Sequence, residues 1–184
     1  MKKVAFLFFV TLLFSAPLWA QQGETAFADS PAVLTSVGQS ADMEMVRVLL
    51  TRAQVQFRAD ALVQGSGLTA ADKTLVLVVG GSSKGLGAAG ISADDELRRS
   101  QALVRQARDM GMKIIALHVG GESRRGSLSD EFIRFVVPVS DYVIVVSEGD
   151  KDNLFTNLAN QAGISLNKVD RISAAGAPLA ASFK

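Results

Sequence analysis

The sequence predicts an α/β fold: a three-layer, doubly wound parallel sheet in a single domain spanning residues 32–184. Three observations predict it. Strand-length apolar runs alternate with amphipathic helix patterns along the whole of that span. The central runs, Thr74–Val79 (TLVLVV), Lys113–Val119 (KIIALHV) and Tyr142–Val146 (YVIVV), are almost wholly apolar, as strands covered on both faces must be. The segments joining them are helical, and such crossovers impose parallel pairing and right-handed units.

Ala32–Ser36 is a short apolar first strand. Ser40 caps a helix that carries Asp42 and Glu44 in its first turn, where the positive end of the dipole favours them. Met43, Val46, Leu49, Leu50 and Ala53 form its apolar face. Val55–Val63 alternates weakly and suits a half-exposed edge strand, followed by the Gly65-Ser66-Gly67 turn. After Thr74–Val79 comes a long glycine-rich loop. Ser92 and Asp95 then form a capping-box pattern at the start of a helix through Leu97, Val104 and Ala107, stopped by Gly111. That helix carries Arg98, Arg99, Arg105 and Arg108 as a solvated face. Ser127 or Ser129 opens a helix through Phe132, Phe135 and Val136. Asp150 or Asp152 caps another through Leu154, Leu158 and Ala162, ended at Gly163. Leu166–Ile172 is a last edge strand before a short helix from Ala174. A weak second strand beside three strong ones predicts the order 2-1-3-4-5, the flavodoxin-like variant of the Rossmann-like sheets.

The ends and the composition bound the setting. Met1-Lys2-Lys3 precedes an apolar run from Val4 to Leu13, broken only by Thr11. Ser15-Ala16-Pro17 interrupts that run, and Leu18-Trp19-Ala20 stands before Gln21. This order predicts a secretory signal peptide over 1–20, cleaved after Ala20, with Ala28 a minor alternative. The run falls short of the roughly 20 apolar residues a membrane span needs, so no stable membrane anchor is expected after cleavage. The small polar residues 21–31 are expected to be a flexible leader, and the protein periplasmic or secreted. There is no cysteine, which excludes disulfides, a thiol nucleophile, thiolate metal sites and lipoprotein anchoring. With no twin-arginine pair, export in the unfolded state is expected, and no cofactor is called for. The chain has 19 basic and 18 acidic residues, and losing Lys2 and Lys3 leaves it near neutral. Nothing in that balance predicts nucleic-acid binding.

In such sheets ligands bind beyond the carboxyl ends of the strands, where the strand order reverses. Four loops face that edge. Three of them contribute Ser36, Gln39 and Ser40; His118, Gly120, Gly121, Arg124 and Arg125; and Ser147. The remaining loop is GGSSKGLGAAG, residues 80–90, and holds the densest signal: Gly80, Gly81, Ser82, Ser83, Lys84, Gly85 and Gly87. Glycines admit close backbone approach, while exposed N–H groups, hydroxyls and a lysine suit an oxyanion. Arg124-Arg125 fits a bidentate clamp on carboxylate or phosphate, or else a solvated charge pair. His118 is the only histidine. Alone it makes a poor metal site. It is either a satisfied core residue or a base for Ser82 or Ser83.

The glycine segment is superficially similar to the cofactor loop of short-chain dehydrogenases. That family places the motif after its first strand, whereas here it follows the third. Its Tyr-x-x-x-Lys is also absent, since Tyr142 is followed at that spacing by Val146. The Walker pattern fails as well, because Leu86 follows Gly85. Over residues 32–184 the chain, with GGSSKGLGAAG and HVGGESRRG, resembles uncharacterised exported bacterial families built on a domain of unknown function. The resemblance implies no activity. Three functions fit: a binding or sensing module for a small anionic ligand, a small hydrolase of phosphate or carboxylate esters using His118 with a serine, and an envelope protein-interaction domain docking through Leu86, Ala88, Ala89 and Ile91.

Overall fold

The structure is a computed structural model and describes residues 26–184. The expected signal peptide and residues 21–25 of the expected leader lie outside the described residues. Six strands, β1 (Ala32–Val37), β2 (Phe57–Ala59), β3 (Thr74–Val79), β4 (Lys113–His118), β5 (Tyr142–Val146) and β6 (Ser165–Val169), form one sheet in the order 2-1-3-4-5-6. Every pairing is parallel. The expected order 2-1-3-4-5 is therefore present, extended by β6 at the far edge.

Alternation along the central strands explains the layers. Leu75, Leu77 and Val79 enter one core with Ile114, Ala116, Val143 and Val145, while Val76 and Val78 enter the other with Ile115, Leu117 and Ile144. Helices α3 (Ala93–Asp109), α4 (Ser127–Val136) and α5 (Leu154–Ala162) cover the first face through Leu103, Phe132 and Phe155. Helices α1 (Asp42–Arg52) and α6 (Gly176–Ala181) cover the second through Val46, Leu50 and Leu179. Each such side chain contributes about 1.5–3 kcal/mol on burial, so the two faces carry the fold's stability. Among the described residues no helix is long and apolar enough to cross a membrane.

Three local expectations are corrected. The second strand pairs over only Phe57–Ala59, not 55–63, against Ala32, Val33 and Leu34. Asp60 ends it: its N–H makes a last cross-strand bond to Leu34 O, and its carboxylate accepts from Leu62 N at 2.9 Å in a local turn that takes over from the ladder. The glycine-rich loop is mostly a helix, α2 (Ser83–Ala89), capped by Ser82, whose Oγ accepts from Gly85 N at 3.0 Å. One inward residue, Leu86, anchors it. Arg99 of α3 is no solvated residue; it is buried in an ion pair with Glu96.

Residues 26–31, placed by the sequence in the leader, lie against the other end of the chain. Ala28 is buried, its N–H and that of Phe27 donate to Ser182 O, and Lys184 N donates to Ala28 O.

Candidate functional site

The order reverses at β1, which leaves β2 on one side and β3 on the other, so the crevice opens where β1 and β3 end. Two loops build its wall. After β1 the chain takes two left-handed residues in a row, Gly38 (φ 99°) and Gln39 (φ 58°). A side chain at Gly38 would place its Cβ 2.5 Å from the carbonyl oxygen of Gly80, so only glycine fits. Gln39, which is not glycine, is held in that conformation by its side chain: Nε2 donates to Ala61 O at 2.9 Å and to Glu96 Oε1 at 3.0 Å. The β3 loop is stapled alongside, with Ser82 N donating to Gly38 O at 2.8 Å. Helix α2 then packs against Gln39, where a Cβ on Gly85 would collide with the Gln39 carbonyl.

Beneath this wall lies a buried network that sequence reasoning missed. Glu96 accepts from Gly38 N at 2.9 Å and from Arg99 through both oxygens. Arg99 also donates to Ser36 O at 2.6 Å and Val63 O at 2.8 Å. The pair ties α3 to the last turn of β1 and fixes the backbone that the crevice needs. Its signal was present: Glu96, Ser100, Leu103 and Ala107 fall on one helical stripe, with Arg99 beside it, and an acid and a base on a buried stripe pair.

The crevice is about 690 Å³ and is lined by Gln39, Ser40, Ser82, Lys84, Gly85 and Arg124, with Met43, Ala61, Ala88 and Ala89 as its apolar part and Glu44 at its rim. Glu44 pairs with Arg47 at 2.7 Å. Lys84 is exposed and has no ion-pair partner among the described residues. Arg124 Nε lies 3.4 Å from Asp42 Oδ1. The other oxygen, Asp42 Oδ2, is buried without a hydrogen bond. Asp42 was read only as a dipole-favoured residue of α1, and nothing in the local sequence pairs it with Arg124 across 82 positions.

The remaining expected residues divide. Gly80, Gly81 and Gly120 form bare backbone where β3 and β4 end, and Gly81 N donates to Ser129 Oγ at 2.8 Å. Ser36 is buried in β1 with its Oγ unpartnered. Ser83 and Gly87 face solvent on α2. Ser147 donates to Val169 O at 3.2 Å, over β5 and β6. Arg125 leaves the crevice altogether: it binds Asp130 and Asp152 with both ends of its guanidinium and donates to Gly149 O. Of Lys84, Arg124 and Arg125, the first two line one crevice and the third does not, because two carboxylates from α4 and the α5 approach claim Arg125. Those hydrogen bonds hold the Asp152 carboxyl at about 2, below its ordinary value.

His118 is fully buried on the α5 side of the sheet, its ring 5.1 Å from that of Phe155. Nδ1 lies 2.9 Å from Val79 O and Nε2 lies 3.2 Å from Gly121 O. Burial pushes its pKa below the ordinary histidine value, so the ring is neutral at pH 7 and carries one N–H. The nearer contact assigns that proton to Nδ1, donating to Val79 O. Both nitrogens face backbone carbonyls, and Ser82 Oγ is engaged in capping α2. The serine–histidine pair a hydrolase needs is not among the hydrogen bonds of the site. Among the described residues no group of histidine and carboxylate side chains could hold a metal ion.

A family model described as a domain of unknown function (DUF6305) matches residues 29–183. No curated protein matches the chain, and no solved structure matches it.

Proposed function

The chain belongs to the DUF6305 family, whose description assigns no activity, and we propose that it is a binding or sensing module for a small anionic ligand held in the β1–β3 crevice. The observation that carries this reading is Lys84: a cation with no ion-pair partner among the described residues, lining a crevice that also presents Arg124, Ser40 and Ser82. A free ammonium beside a guanidinium and two hydroxyls is a recognition set for carboxylate or phosphate. The wall behind them is held by the Glu96–Arg99 network, so little ordering is required on binding. The signal-peptide pattern supports a periplasmic or secreted setting.

The hydrolase alternative has less support, since His118 is turned away into the core. The docking alternative is weakened by Leu86, which points inward and leaves Lys84 and small residues on the outer face of α2. Titration with inorganic phosphate and acetate, followed residue by residue by NMR, tests the reading. Shifts centred on Lys84, Ser82 and Arg124 are expected. Shifts absent there, or spread evenly over surface lysines, would overturn it.

A further inference from the structure

Asp42 stands behind Arg124, outside the lining of the crevice, and its bonding is incomplete. Its Oδ2 is buried with no hydrogen bond, and its contact with Arg124 is 3.4 Å, long for a charge-assisted bond. A buried carboxylate oxygen without a hydrogen bond costs free energy, and native structures seldom keep one without a use.

The surroundings suggest the use. Gly80 and Gly120, where β3 and β4 end, present bare backbone to this oxygen. A Cβ on Gly120 would collide with Asp42 Oδ2 and with Arg124 Cγ, while one on Gly80 would be 3.7 Å from Oδ2. The Arg124 stem therefore lies across Gly120 and closes the space around Asp42. The same side chain is one-third exposed and lines the crevice. Arg124 thus stands between two anions, Asp42 on one side and the proposed ligand on the other.

We propose that the ligand carries a hydrogen-bond donor, an ammonium above all, one or two bonds from its anionic group, in the manner of an amino acid. The anionic group draws Arg124 off Asp42, and the unpartnered Oδ2 then accepts from the donor. This rests on the anion-binding reading above and specifies the chemistry of its ligand. It also accounts for an acid placed directly behind Arg124, a residue that lines the crevice. A plain anion must break the Arg124–Asp42 contact and leaves Asp42 wholly unpaired, whereas a zwitterion replaces what it breaks.

Glycine, acetate and inorganic phosphate, titrated into the purified protein and followed by NMR, test the proposal. Glycine should bind roughly ten-fold more tightly than acetate, the effect of one charge-assisted hydrogen bond. In Asp42→Asn that ratio should fall toward one, with acetate bound as well as before or better because Arg124 is released. Arg124→Gln, which leaves Asp42 untouched, serves if Asp42→Asn does not fold. There both probes should weaken while glycine keeps its advantage. Binding of acetate and phosphate with no preference for glycine, or an equal preference in the wild type and Asp42→Asn, overturns this inference and leaves the anion site standing. Failure of all three probes to bind overturns both.

Discussion

Two clusters of charge sit on the same edge of the sheet, and they differ in how completely they are paired. Above β4 and β5, Arg125 is held by Asp130 and Asp152, Lys151 pairs with Glu122, and the buried Asp150 accepts from Phe155 N, Thr156 and Lys168. Every charge named there has a partner. Above β1 and β3, among the described residues, Lys84 has no ion-pair partner, Arg124 has one long contact, and Asp42 keeps a buried oxygen without a hydrogen bond. The first cluster fastens α5 to the sheet. The second resembles a site waiting for a partner from outside. Arg124 and Arg125 are neighbours in the chain, yet one belongs to each.

Breaking the support beneath the second cluster should have the largest effect. Arg99→Met leaves Glu96 charged and buried, and should cost about 3–5 kcal/mol of stability, read by urea unfolding. A loss under about 1 kcal/mol would mean that the pair is not as dry as its burial implies. Next comes the division of labour itself. Lys84→Ala should weaken phosphate or acetate binding by about ten-fold or more, for a loss of about 1.5–3 kcal/mol, with an unchanged unfolding midpoint. Arg125→Gln should do the reverse, lowering the midpoint and sparing affinity. Equal behaviour of the two variants would erase the contrast between the clusters.

Smaller effects sharpen it. Ser82→Ala removes the cap of α2 and should cost about 1 kcal/mol, with amide exchange accelerating across 83–89. The smallest is a pH effect. The carboxyl of Asp152 is lowered to about 2 by Arg125, against about 3.9 for an unfolded aspartate. A depressed folded value means that the stabilisation is present above about pH 4 and is lost as the pH falls toward 2. Asp152→Asn should therefore flatten the acid limb of stability in that window and change little at pH 7. An unaltered limb would remove Asp152 from the fastening cluster.

The architecture was legible because central strands have to be apolar on both faces, and TLVLVV and YVIVV admit few other readings. The site was legible in part. Topology alone puts Lys84, Ser40 and Ser82 at the carboxyl edge of the strands, where they line the crevice. The tract GGSSKGLGAAG reads in sequence as a loop, since five of its eleven residues are glycine, and glycine disfavours helix by about 1 kcal/mol per residue. A serine cap and the burial of Leu86 overrode that propensity, and the close contact of Gly85 with the Gln39 carbonyl needed the missing side chain. Arg124 and Arg125 could not be told apart, since their partners come from α1, α4 and the approach to α5. Asp42 could not be found, because a carboxylate in a first turn already has a sufficient local reason to be there.

The hydrogen bonds among Phe27, Ala28, Ser182 and Lys184, with the Lys184–Asp29 ion pair, bring residue 27 beside residue 184 at the amino-terminal edge of the strands. That edge is opposite the crevice. A circular permutant joining these positions by a short linker and reopened in an exposed turn has a natural geometry available to it. A sample tethered to a sensor surface from this edge would present the crevice to the flowing solution, unobstructed by its own attachment.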